Sequence, residues 1–129
     1  MTAVRFIAPP PGLEPLDAFE LAPVAGADGL YTLTAEERPE IRLFTLDAEL
    51  HLPGYSPELP DDHAAELGIS APEQAQLLVV VTPSREGSTV NLLAPVIVNR
   101  ATGAALQLVL DDDALPVRAE LAALAGAGA

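Results

Sequence analysis

The chain lacks cysteine, tryptophan and lysine, and it is poor in positive charge. Its 129 residues contain 19 acidic and 6 basic side chains, all six of them arginine, for a formal net charge of −13. Without cysteine there is no disulfide, no thiolate nucleophile and no cysteine-ligated zinc or iron–sulfur site. Six scattered arginines form no basic patch for phosphates or anionic lipid. The composition therefore predicts no direct nucleic-acid binding and no membrane binding, and it favours a basic or apolar macromolecular partner.

Long hydrophobic runs are also missing. No stretch of about 18 apolar residues is present, so no membrane-spanning helix is expected. Residues 1–7 have neither a basic region nor the apolar core of a signal peptide, and prolines follow directly. These features predict a cytoplasmic protein. Half of the residues are apolar, which is enough for one core, and the length predicts a single domain over residues 1–124 with a flexible Gly/Ala tail at 125–129.

Thirteen prolines and nine glycines divide the chain into short segments, which favours strands over long helices. Residues 77–82 form an apolar, β-branched run typical of a central strand. Residues 89–93, 96–99 and 105–110 are expected to follow it as an antiparallel meander. Residues 60–68 have the proline, acids and terminal glycine of a short helix. The sequence thus predicts an all-β fold, a small antiparallel β-barrel-like domain with one short helix.

Residue types that carry chemistry are sparse. The only histidines, His51 and His63, do not have the spacing of a metal site, even with Asp61 and Asp62 as further ligands, so two solvated histidines are expected. The acidic run 111–113 lacks the spacing of a calcium loop. Phosphate-loop, dinucleotide and nucleophile-elbow motifs are absent. We therefore expect no catalytic, cofactor or metal site, with a small acidic β-barrel enzyme or a structural adaptor as alternatives.

Two asparagines interrupt an apolar double strand at residues 88–99. A buried amide without partners costs about 1–3 kcal/mol, so Asn91 and Asn99 need hydrogen-bonding partners. The favoured interpretation is that they bind backbone groups left open by Pro95 and the adjoining turn, and so hold a kinked hairpin. Direct contact with a partner is the alternative.

The same segment resembles a known signature. Residues 91–99 read NLLAPVIVN, and QLVL follows at 107–110; this resembles the pattern N-L-x-A-P-I/V-x-x-N, then Q-x-V/I-L, of the bacterial flagellar assembly factor FliW family. The resemblance extends over about residues 4–121, although residues 115–118 depart from the aromatic, basic residue and proline of many relatives. The residues that carry the signature are Asn91, Leu92, Leu93, Ala94, Pro95, Asn99 and Gln107.

The resemblance implies a non-catalytic domain that binds two proteins, flagellin and the RNA-binding translational repressor CsrA. Binding would keep CsrA from silencing flagellin mRNA and so couple translation to flagellar assembly. A charge of −13 suits a basic target, but screening over about 8 Å requires the acids to lie close to the contact. Tyr55 is expected to be exposed and to supply apolar contact. The candidate acids are Glu36, Glu37, Glu40, Asp61, Asp62, Asp111, Asp112 and Asp113.

Overall fold

The computed structural model describes residues 2–10, 12–52, 55, 57, 59–83, 88–110 and 119–120. The strands are β1 Thr2–Phe6, β2 Ala18–Pro23, β3 Leu30–Ala35, β4 Arg42–Asp47, β5 Ala75–Thr82, β6 Thr89–Val90, β7 Val96–Asn99, β8 Ala104–Gln107 and β9 Ala119–Glu120. The helices are α1 Ala48–His51 and α2 Asp61–Leu67, with a 3₁₀ turn at Pro72–Gln74. The candidate acids at 111–113 and the predicted tail at 125–129 lie outside the described residues.

Seven strands close into a barrel. Their order is β4-β3-β2-β1-β8-β7-β5, and pairing of β4 with β5 completes the ring. Within the ring every pair is antiparallel except β1 with β8, which is parallel. The short strands β6 and β9 extend the sheet beyond β5. The all-β barrel predicted from the sequence is confirmed.

Gly103 allows the parallel contact between β1 and β8. Its φ is +81°, and a Cβ at this position would lie 2.2 Å from the backbone oxygen of Ala3. The backbone N–H of Arg5 donates to the Gly103 carbonyl over 2.9 Å. A side chain would prevent this approach, so glycine is required here both for conformation and for space.

The barrel interior holds the main core. Phe6 and Phe19 meet edge to face with ring centroids 5.3 Å apart, a favourable aromatic geometry. Thr45 is also fully buried, and its hydroxyl donates to the Tyr31 carbonyl. The other buried residues of this cluster are Val4, Leu16, Leu21, Leu33, Ala35, Leu78, Val96, Val98 and Ala105.

Two smaller apolar clusters cover the outside of the barrel. One packs α1 and Leu52 against the outer side chains of β4 and β5, including Leu46 and Val79. The other packs Leu67 of α2 against Ile97 and Leu108. The side chains of β4, β5 and β7 therefore contact apolar neighbours on both faces of the sheet, which explains the nearly continuous apolar runs in these strands.

Two details differ from the sequence predictions. The strand expected at 89–93 ends at Val90, so β6 and β7 pair with opposite ends of β5 instead of with each other. A second helix, α1, follows β4: the Asp47 side chain accepts from the backbone N–H groups of Glu49 and Leu50, at 3.0 and 3.3 Å. Four residues are too few to show helical periodicity, so only the N-cap residue marks this helix in the sequence.

Candidate partner-binding surface

The bend after β6 is built from signature residues. Asn91 Oδ1 accepts from the backbone N–H groups of Leu93 and Ala94, at 3.0 and 3.2 Å. Gln107 Nε2 donates to the Ala94 carbonyl over 3.1 Å. Pro95 is fully buried at the start of β7. Asn91 therefore binds backbone groups next to Pro95, as expected. The expected kinked hairpin is wrong, because the strands on either side of the bend, β6 and β7, both pair with β5 and not with each other.

Asn99, at the end of β7, binds the backbone at the end of α2 and in the turn that follows β7. Its Nδ2 donates to the carbonyls of Leu67 and Gly68, at 2.8 and 3.3 Å, at the end of α2. Its Oδ1 accepts from the N–H groups of Ala101 and Thr102, at 2.8 and 3.3 Å. The side chain is 4% exposed, so these bonds operate away from water, where an amide with four partners is strongly held. Asn99 positions α2 against the barrel.

Tyr55 connects the segment between α1 and α2 to the signature. Its hydroxyl donates to the Leu92 carbonyl, and its ring packs against the outer cluster around Leu46 and Val79. Burial raises the pKa of Tyr55 to about 12. The expectation that Tyr55 is exposed is wrong: the residue is half-buried, because its hydroxyl finds a backbone partner and its ring covers apolar side chains.

An apolar groove lies beside α2, and we call it the α2 groove. It has a volume of about 540 Å³. Its floor consists of outward-facing side chains of the barrel, and its walls are one face of α2, Tyr55 and the segment that follows α2. Two carboxylates, of Glu49 and Asp61, lie among the residues that line it. The complete lining is Glu49, Tyr55, Pro57, Leu59, Asp61, Ala64, Ile69, Ser70, Ala71, Ala75, Leu77, Ile97 and Leu108.

The candidate acids do not form one cluster. Glu36, Glu37 and Glu40 are exposed in the turn between β3 and β4 and do not line the α2 groove. Asp61 and Asp62 are exposed in the first turn of α2, where carboxylates are favourable to the helix dipole, and of the two only Asp61 lines the groove. Asp111, Asp112 and Asp113 lie outside the described residues.

Sequence reasoning missed most of the groove. Glu49 belongs to the helix that was not predicted, and Ala64 gave no signal beyond its helical setting. Leu108 was placed correctly on an apolar face with Leu106 and Leu110, and all three belong to the outer cluster under α2. The strand pattern could not show that α2 covers this cluster, because α2 lies about 40 residues earlier in the chain.

A second cavity lies on the outside of β4 and β5, and we call it the Phe44 cavity. Its volume is about 580 Å³. His51 borders it and is half-buried, with its Nε2 donating to the Asp28 carbonyl over 2.6 Å. The cavity is lined by Ala27, Asp28, Leu30, Phe44, Leu46, His51, Val81, Pro83 and Ser88.

The described part of the chain brings few metal-ligating side chains together. No group of three or more His, Cys, Asp or Glu side chains there could hold a metal ion. His63 is half-buried on α2, with Nδ1 3.6 Å from a Glu66 carboxylate oxygen. Among the helices that the structure describes, none has the length and apolar character needed to cross a membrane.

Fold and site together define a small closed β-barrel with short outer helices and an apolar groove beside α2. The model of the FliW protein family matches residues 1–121. The chain belongs to the FliW family.

Similar proteins share part of the sequence, and a solved structure shares the fold. The flagellar assembly factor FliW of Moorella thermoacetica is 32% identical over 114 residues, covering 86% of this chain and 72% of that protein. The factor of the same name from Syntrophus aciditrophicus is 38% identical over 78 residues, which are 59% of this chain and about half, 49%, of that protein. A crystal structure of the flagellar assembly factor FliW superimposes with a TM-score of 0.85 at 22% identity, covering 92% of this chain and 84% of the other.

Proposed function

We propose that this chain is a flagellar assembly factor that works by binding proteins and not by catalysis. Its partners would be flagellin and the translational repressor CsrA, in the cytoplasm, with CsrA antagonism coupling flagellin translation to assembly. The observation that carries the proposal is the family match over residues 1–121, together with relatives named as flagellar assembly factors.

The α2 groove is the surface we assign to a partner. Its apolar floor, formed by side chains such as Leu77, Ile97 and Leu108, would remove apolar surface of a bound segment from water, worth roughly 25 cal/mol per Å². Its carboxylates, Glu49 and Asp61, would face basic residues beside that apolar stripe. An amphipathic helix with arginine or lysine along its edge matches this combination.

The net charge supports CsrA as one of the two partners. A protein that binds RNA must present basic residues to phosphates, and a partner of charge −13 is attracted to such a surface. The same charge repels mRNA from the complex. Because attraction between exposed charges is screened within about 8 Å at physiological salt, acids that border the contact are the ones that count.

The experiment compares two alanines on neighbouring positions of α2. Ala64 lines the α2 groove, whereas Ala65 is exposed and does not line it. Purified chain carrying Ala64→Gln or Ala65→Gln is titrated with flagellin and with CsrA by calorimetry at low salt. Both substitutions add the same uncharged bulk to the same helix, so a stability effect of glutamine is shared.

We expect Ala64→Gln to weaken binding of at least one partner about tenfold or more, and Ala65→Gln to change it less than about twofold. Failure of the unmodified chain to bind either protein would overturn the proposed function. Equal binding by both variants would remove the groove from the proposal and leave the partners in place.

A further inference from the structure

One carboxylate of the α2 groove is already paired with a cation of the chain itself. Arg100 Nη2 lies 3.8 Å from Glu49 Oε2. Glu49 lines the groove, whereas Arg100 does not, so the guanidinium reaches this carboxylate from outside the groove. A basic side chain of a bound segment would therefore meet Glu49 with a positive charge already beside it.

The backbone holds both members of this pair in place. Arg100 follows Asn99 in the turn after β7, and its backbone N–H donates to the Gln74 carbonyl over 2.9 Å. Glu49 lies in α1, where its backbone N–H donates to the Asp47 carboxylate over 3.0 Å. Only the two side chains must be ordered for the pair to form, which is the main entropic cost of an ion pair at the surface.

Exposure makes this pair exchangeable. The side chains of Arg100 and Glu49 are 42% and 63% exposed, and water and salt weaken the attraction between such charges. Arg100 can therefore return to water at little cost when another cation replaces it. A segment that covers the groove removes water from Glu49, and a carboxylate removed from water needs a paired cation. A basic group of that segment and Arg100 are then competitors for the same carboxylate.

We propose that Arg100 determines the specificity of the α2 groove by competing with basic groups of a bound partner for Glu49. The competition lowers the affinity for a basic segment, because the gain from pairing with Glu49 is partly offset by breaking the internal pair. Segments that depend mainly on apolar contact are then favoured over segments that depend mainly on charge. This inference rests on the proposed function, which assigns the groove to a protein partner.

A second surface arginine provides a matched control. Arg38 Nε lies 3.4 Å from Glu40 Oε1, with side chains 63% and 66% exposed, and Glu40 does not line the groove. Arg100→Gln and Arg38→Gln each remove one positive charge from a chain of net charge −13, and each releases one carboxylate. The two variants differ in whether the released carboxylate belongs to the groove.

Each variant is titrated with purified CsrA and with purified flagellin by calorimetry at low salt. For the protein whose binding Ala64→Gln weakens, we expect Arg100→Gln to raise the affinity about threefold and Arg38→Gln to change it less than about 1.5-fold. Equal effects of the two variants would overturn the role of Arg100 and leave the proposed function standing. If the unmodified chain binds neither protein, or if Ala64→Gln weakens neither, the groove has no protein partner and this inference fails with it.

Double variants locate the effect at Glu49. Arg100→Gln should no longer raise the affinity in a Glu49→Gln background, whereas it should still do so with Asp61→Asn, which removes the other groove carboxylate. A gain that persists in the Glu49→Gln background would mean that Arg100 acts on the partner directly, and it would contradict the competition.

Nuclear magnetic resonance follows the release of Arg100. The side-chain N–H resonance of Arg100 is recorded in the free chain, in the free Glu49→Gln variant and in the chain saturated with the groove partner. Binding should move the resonance toward its position in Glu49→Gln, because the partner takes the place of Arg100. A resonance that keeps its free position on saturation would show that the internal pair persists, against the proposal.

Discussion

At the scale of single residues, polar side chains of the signature bind backbone inside this chain. Asn91, Asn99 and Gln107 all accept from or donate to main-chain groups, and Tyr55 donates to the Leu92 carbonyl 37 positions away. Each bond satisfies a backbone group that a bend or a helix end leaves without a regular partner. Direct contact of the signature with a partner was the alternative interpretation, and it stays untested.

Ionisation of Tyr55 should make the free energy of unfolding depend on pH above pH 10. Burial raises the pKa of this hydroxyl from 10.0 to about 12, so its stabilising contribution is fully present below the unfolded value and is lost as the pH rises from 10 through 12. In Tyr31→Phe, Tyr55 is the only tyrosine left, and its phenolate absorbance should rise near pH 12.

The Tyr55→Phe variant tests the same linkage through stability. It should lose roughly 0.5–1.5 kcal/mol near neutral pH, the usual worth of a hydrogen bond, and should lose less than the unmodified chain between pH 10 and 12. Urea unfolding at several pH values measures both effects. Phenolate formation near pH 10 in the folded Tyr31→Phe chain would contradict the burial of Tyr55.

At the scale of elements, the helices depend on their surroundings. Strand β4 is predictable locally: alternation over 41–46 places Ile41 and Leu43 on one face and Phe44 and Leu46 on the other, and this is confirmed because the first pair contacts the interior cluster and the second the outer one. Helix α2 has seven residues, too few to be stable alone in water. It is held by Leu67 in the outer cluster and by the amide of Asn99.

Two substitutions of the same kind should therefore have different effects. In Asn99→Asp, both donations to the end of α2 are lost and a carboxylate faces two carbonyls, so stability should fall by roughly 2–4 kcal/mol. In Asn91→Asp, the acceptor oxygen that binds Leu93 and Ala94 is retained, and the change should stay within about 1 kcal/mol. Urea unfolding gives the stabilities, and hydrogen exchange shows whether α2 is the element that opens first.

The comparison would fail if both aspartate variants lost the same stability. It would also fail if exchange in α2 of Asn99→Asp stayed as slow as in the unmodified chain, since the amide would then not hold the helix.

At the scale of the whole molecule, we expect the net charge to affect the rate of association with partners more than it affects the fold. A charge of −13 creates a long-range negative field, which accelerates encounter with a basic partner and is screened by salt. On the proposed function, raising the salt from about 50 to about 500 mM should slow association with CsrA about tenfold and change dissociation less than about threefold. Stopped-flow measurements test this.

Flagellin serves as the comparison partner. Charge reversal at Asp111, Asp112 and Asp113 should slow association with CsrA more than association with flagellin if these acids face the basic partner. Salt-independent association with CsrA, or equal effects of the reversal on both partners, would count against charge as the basis of recognition.

The sequence by itself determined the features whose signals are local. These are the alternating faces of β4, the apolar run of β5, the proline, acids and terminal glycine of α2, and the signature that resembles the FliW family. These depend on periodicity, turn residues and composition, which are readable within a few positions. The tertiary structure alone decided the parallel contact of β1 with β8 at Gly103, the burial of Tyr55 and the joining of Asn99 to α2 over more than 30 positions. Such contacts depend on which distant segments meet when the barrel closes, and no local pattern contains that information.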